Sequence, residues 1–141
     1  MTPDTFIQTE PVERHDLMFS LHSTILNNDK TVTATVEPMM GKEMVIYKSR
    51  GFMKYALAGA KNYMTLHVLP MYGSKTLYGR YFALLPKATF QKGCINFKTA
   101  DELPLKIVQE LISDCEKIDL LKIRQEYLDS KKAGKKKAKK N

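Results

Sequence analysis

Residues 43–69 read "EMVIYKSRGFMKYALAGAKNYMTLHVL", and this stretch decides the fold class. Three short runs, 43–47, 52–60 and 63–69, read as strands. "KSRG" and "KN" separate them, both turn signals. Connections this short join antiparallel neighbours, so the stretch reads as a three-stranded meander. In the third run Met64, Leu66 and Val68 fall on one face and Tyr63, Thr65, His67 and Leu69 on the other. The all-apolar set is the expected core face.

Upstream, "TEPVERHDLMFSLHSTILNN" has helical spacing. Leu17, Leu21 and Ile25 recur every four residues, with Thr9 as the expected cap, Pro11 in the first turn and Asn27-Asn28-Asp29 as the stop. Residues 31–41 mix β-branched residues with Pro38 and Gly41, and read as a loop or short helical turn. Downstream, Leu77, Tyr81 and Leu84 predict a helix ended by Pro86. "GCINF", 93–97, predicts a fourth strand. Leu103, Ile107, Leu111 and Cys115 predict a long helix capped by Asp101, which continues through Leu120, Leu121, Tyr127 and Leu128. The sum is α+β: an antiparallel sheet of about four to five strands packed against helices.

The net charge of +8 looks like a signal for an acidic partner. Seven lysines, however, lie in "KKAGKKKAKKN", 131–141, and taking those seven from +8 leaves +1 for the rest. The expected organisation is one domain over residues 1–130 and a disordered lysine-rich tail over 131–141. Cys94 and Cys115 have no CxxC spacing, so they define neither a zinc site nor a disulfide framework. Without an apolar leader or a run of about 20 apolar residues, a soluble cytoplasmic protein is expected. No phosphate-binding loop occurs, since "GSK" at 73–75 lacks the required spacing.

"YMTLHVLPMY" at 63–72, then "QKGCINFK" at 91–98 and a capped helix with "LPLKIVQELI", resemble the YdhG-like family of small cytoplasmic bacterial domains, mostly of undefined function. A looser match runs from Met44 to Ala60, and the lysine tail lies outside it. The resemblance implies a sheet packed against helices. It also implies a non-enzymatic binding or chaperone-like role, with iron as the cargo in members similar to frataxin-type chaperones. No catalytic motif comes with it.

Candidate sites follow from residue type. Tyr63, His67 and Cys94 are the expected ligand-binding residues; a nucleophilic reading of Cys94 needs a histidine beside it, and His67 is on a different strand. Glu10, Glu13 and Asp16, spaced by three, are the candidate acidic edge for iron, against the plainer reading of acids that complement a helix dipole. His15 and His22 share a helix face about 10.5 Å apart, too far for one metal, and read as a surface pair. The alternative function is accessory nucleic-acid binding. Lys48, Arg50, Lys54, Tyr55 and Lys61 mix cations with an aromatic as single-strand binders do, and the tail adds non-specific attraction to phosphates. No constellation supports an enzyme, and no cofactor is implied beyond iron. A monomer or homodimer is expected.

Overall fold

A computed structural model describes residues 1–126 and 128–130. The expected tail, 131–141, lies outside the described residues, as does Tyr127 of the expected helix. The chain opens on a helix that the sequence reading passed over: α1, Pro3–Thr9. Thr2 and Thr5 close a reciprocal cap at its start, and Pro3 occupies the first turn. Thr9 therefore ends a helix and caps none. Pro11 leads a 3-10 turn, Val12–Arg14, and α2 follows at His15–Asn28, burying Met18, Leu21 and Ile25.

Residues 31–41 correct a second expectation. Thr33–Met39 is β1, a full strand. It sits at the sheet edge and pairs only with β2, Lys42–Ser49. An edge strand leaves half of its N–H groups outside the ladder, so Pro38 is tolerated. Gly41 does not break the strand; it turns it. Met40 (φ 53°) and Gly41 (φ 81°) form a two-residue hairpin between Met39 and Lys42. Arg50 (φ 55°) and Gly51 (φ 83°) repeat this between β2 and β3, Phe52–Gly59. Both turns need two left-handed residues, the geometry that suits twisted strands.

β4, Met64–Val68, lies in the middle of the sheet. A 3-10 turn, Leu69–Tyr72, leads to α3, Lys75–Leu84, capped by Ser74. Then come β5, Thr89–Gln91, and β6, Cys94–Phe97. The sheet is antiparallel and six-stranded, in the order β1-β2-β3-β4-β6-β5. The strand beyond the expected four to five is β5, three residues long and too short to show alternation. α4, Leu105–Glu116, completes the helical layer. Asp101 does not cap it: the helix starts after Pro104, and Asp101 instead accepts the Thr99 hydroxyl. Nor does helix run on unbroken. It stops at 117–119 and resumes over 120–126, with Asp119 accepting the N–H groups of Leu121 (3.1 Å) and Lys122 (3.3 Å).

All four labelled helices cover one face. Met64, Leu66 and Val68 point into it as the alternation predicts, joined by Val45, Tyr47, Tyr55, Leu57, Ile95 and Phe97. In α3 Leu77 and Tyr81 are buried, but the third core position is Leu85 and not Leu84.

Lys54 is the exception to the alternation. Tyr47 pairs with Tyr55 and Lys48 with Met53, leaving Lys54 as the extra residue of a β-bulge. The bulge turns Lys54 to the helical side, where its ammonium lies 2.8 Å from the Asp29 carboxylate. Both residues are fully buried. Asp29 also accepts the Tyr55 hydroxyl (2.7 Å) and the hydroxyl and N–H of Thr31 (2.6 and 3.0 Å). Burial alone raises the carboxyl pKa. Hydrogen bonds from Lys54, Thr31 and Tyr55 outweigh it and bring the pKa below the ordinary value.

His22 is half-buried, with Nδ1 2.7 Å from the Tyr47 hydroxyl. Burial lowers its pKa, opposed by the nearby Asp4. A histidine with a lowered folded pKa leaves the unfolded chain binding the extra proton first. Stability is therefore full above about pH 6.5 and declines as pH falls toward the folded pKa. Thermal melts should show Tm decreasing from pH 7.5 to 5.5. His22→Gln should flatten that decrease; an unchanged slope in the variant would exclude His22 as its source.

Candidate functional site

The second face of the sheet carries what the helical face does not. Met44, Ile46, Ala56 and Ala58 form a small apolar patch there, flanked by Met39 and Met53. The bulge that buries Lys54 is also what places Met53 on this side. Beyond the patch, β4 and β6 present two facing pairs: His67 opposite Cys94, and Thr65 opposite Asn96. Cys94 Sγ lies 2.9 Å from His67 Nδ1. The Thr65 hydroxyl donates to Asn96 Oδ1 (2.8 Å), and Asn96 Nδ2 donates to Gln91 Oε1 on β5 (3.2 Å). Central strands hold these groups, so their spacing is set by the ladder and not by loops.

The 120–126 segment lines one side of a groove of about 1070 Å³ on this face. Met39, Met40, Phe52, Met53, Leu120 and Ile123 supply most of its apolar wall, and His67, Cys94, Tyr72 and Gln91 its polar floor. Arg50 and Asp119, 2.5 Å apart, tie the β2–β3 hairpin to the start of that segment. Arg124 stacks over Phe52 at 5.2 Å from the ring centre. A smaller hollow of about 260 Å³ adjoins the groove, shares His67 and Cys94 with it, and includes Lys42 and Tyr63. Among the described residues, Lys42, Lys92 and Arg124 line the two spaces and no carboxylate does.

Gly93 is required where it stands. A Cβ there would come within 2.2 Å of the Tyr72 ring and 2.9 Å of the Val68 carbonyl oxygen. Its absence lets Tyr72 lie across the start of β6 with the hydroxyl 3.9 Å from Cys94 Sγ. Burial raises the Tyr72 pKa, reinforced by the hydrogen bond to Cys94. Burial lowers the His67 pKa, helped by the positive charge of Lys42. The imidazole is thus neutral at pH 7, with Nδ1 able to accept the thiol proton.

The structure therefore brings His67 and Cys94 together and places Tyr63, 38% exposed, at the edge of the adjoining hollow. It separates the other expected sites. Lys54 and Tyr55 are internal and present nothing to a nucleic acid. Lys48 pairs with Glu37 at 2.8 Å, Arg50 with Asp119, and Lys61 is exposed. The basic and aromatic stripe read over 47–63 is therefore broken: Tyr47, Lys54 and Tyr55 leave the surface, and Lys48, Arg50 and Lys61 stay on it. Its residues alternate in sequence, but the bulge and the turns send them to different sides.

Glu10, Glu13 and Asp16 do not converge either, because α1 ends before Glu10 and a 3-10 turn intervenes. Glu10 pairs with Arg14 at 3.4 Å. No group of three or more His, Cys, Asp or Glu side chains among the described residues is placed to hold a metal. His67 and Cys94 supply two donors, short of the three or four a transition metal takes. His15 and His22 are not a surface pair: both are half-buried, His15 bonded through Nε2 to the Glu10 carbonyl and His22 to Tyr47. Sequence reading missed Tyr72, Gln91 and the methionine wall. Its available signal was "MVIY", 44–47, apolar on both parities, which marks a strand covered on both faces.

The fold and site define an α+β domain whose sheet has one face under helices and the other lining an apolar groove with a thiol–imidazole pair. Comparison of the chain with protein-family models, curated proteins and solved structures finds no match. Among the described residues, no helix is long and apolar enough to cross a membrane.

Proposed function

We propose that this protein binds a small, largely apolar molecule with an anionic end in the groove on the open face of its sheet. The groove itself carries this reading. At about 1070 Å³ it lies just above the usual range for small-molecule sites. Its walls are mostly apolar and rich in methionine, which adapts to irregular ligands. Its charged lining is cationic among the described residues. The two stretches that carry the YdhG-like resemblance, 63–72 and 91–98, supply His67, Tyr72, Gln91, Lys92 and Cys94. A binding role in the manner of that family is consistent with this placement.

Gly73 offers the test. Its φ of −98° suits any residue, and a Cβ there meets only Ile123, at 3.9 Å. Gly73→Phe therefore adds a ring at the groove wall without backbone strain. Wild type should bind decanoate, or an anionic naphthalene dye followed by fluorescence, saturably. G73F should bind at least about tenfold more weakly, a loss of about 1.4 kcal/mol, with little change in Tm. Equal binding by both proteins would place the ligand elsewhere, and no saturable binding by wild type would remove the proposal.

A further inference from the structure

We propose that Cys94 is a nucleophilic thiol, activated by His67, that captures α,β-unsaturated carbonyl compounds with apolar bodies by conjugate addition. This inference rests on the groove being a ligand site. The two side chains face each other across the β4–β6 ladder, at 2.9 Å, at the boundary between the groove and the adjoining hollow. Cys94 is half-buried and reachable from the groove. Cys115 lies fully buried in the helical layer, where burial pushes its pKa up to about 12. One thiol is thus set beside a base and a cavity, and the other is shut away from both.

The titratable and charged groups facing the pair are Lys42 from β2, Tyr63 from the β3–β4 turn, Tyr72 from the 3-10 turn, Lys92 from the β5–β6 turn and Arg124 from the 120–126 segment. None is a carboxylate. Among the described residues, no anion in this set holds the imidazole in its charged form. A neutral His67 can then act as general base.

In the reaction, the Cys94 S–H proton passes to His67 Nδ1 as sulfur forms a bond to the β-carbon of the ligand. The π electrons of the C=C bond move to the carbonyl as an enolate. The imidazolium returns the proton to the α-carbon, leaving a thioether and a neutral imidazole. No group leaves and nothing is exchanged with an external oxidant or reductant. Addition suits this site better than acyl transfer, which needs a leaving group and a set of oxyanion donors. The Tyr72 hydroxyl, 3.9 Å from sulfur, is positioned as a single donor toward an enolate oxygen.

The test exposes full-length wild type, His67→Gln, Cys115→Ser and Gly73→Phe to trans-2-nonenal and to acrolein, with intact mass and peptide mapping as readouts. One nonenal adduct on Cys94 is expected in wild type and C115S, with Cys115 unmodified in wild type. H67Q should react at least about tenfold more slowly and lose the wild-type pH profile. Nonenal should outpace acrolein, each scaled to free cysteine, and G73F should abolish that preference. Equal labelling of the two cysteines in folded wild type overturns the proposal without any variant, as does wild-type reactivity in a folded H67Q. If decanoate binds and G73F weakens it while Cys94 stays unmodified, the covalent step alone falls. If decanoate does not bind and nonenal has no preference, the groove reading falls as well.

Discussion

Lys54→Met is expected to remove about 3–5 kcal/mol of folding stability, the cost of leaving a buried charge without its partner. The variant keeps the bulk of the lysine stem but strands the Asp29 carboxylate, which is fully buried and 2.8 Å from the lost ammonium. The Thr31 and Tyr55 hydrogen bonds remain and soften the loss. Lys54 Nζ also lies 3.4 Å from the Glu116 carbonyl at the end of α4, so the helix loses a cation where its dipole favours one. Urea unfolding reads the change as a lower midpoint. Asp29→Leu combined with K54M should recover part of it, since a buried ion pair is often replaceable by apolar residues. A K54M protein within about 1 kcal/mol of wild type would mean that water reaches Asp29. The same carboxylate makes an acid prediction. Its folded pKa lies below the ordinary value, so its contribution is present above the unfolded pKa of about 3.9 and disappears as pH falls through the folded one. K54M has already lost that contribution, so the stability gap between the variant and wild type, read from urea midpoints at successive pH values, should narrow as the pH falls through the folded pKa.

Leu66→Ala is expected to cost about 2–5 kcal/mol. Leu66 is fully buried on the central strand, between Leu57 on β3 and Ile95 on β6. Truncation opens a cavity that rigid neighbours on both sides cannot fill. Thr65→Ala, one residue earlier on the opposite face, should cost only about 1 kcal/mol, the worth of its hydrogen bond to Asn96. Urea midpoints of the two variants test which face of β4 holds the core. Equal losses would contradict the alternation along this strand.

That alternation was legible in the sequence because it is local. Met64, Leu66 and Val68 had to share a face once the run was extended, and Leu17, Leu21 and Ile25 once theirs was helical. The α+β class followed from those periods. Errors arose where local rules conflict with position in the sheet. Pro38 argued against a strand until β1 proved to be an edge. Asp101 is a good cap by type, yet α4 begins only after Pro104. The helix after Leu111 was extended through Asp119, which in fact starts the next segment by capping it.

The sequence by itself determined the periodic faces and the near-neutral balance of residues 1–130. It also marked His67 and Cys94 as residues worth pairing, without a reason for them to meet. Tertiary structure alone decided that they do, because strand order places β6 next to β4 in the register that sets residue 94 opposite residue 67. It decided equally that Lys54 is a buried ion-pair partner and not a phosphate contact, through one extra residue in β3. Strand order, register and bulges are selected by contacts between residues far apart in the chain. Their free energy depends on the whole packed layer, and no short window of sequence contains it.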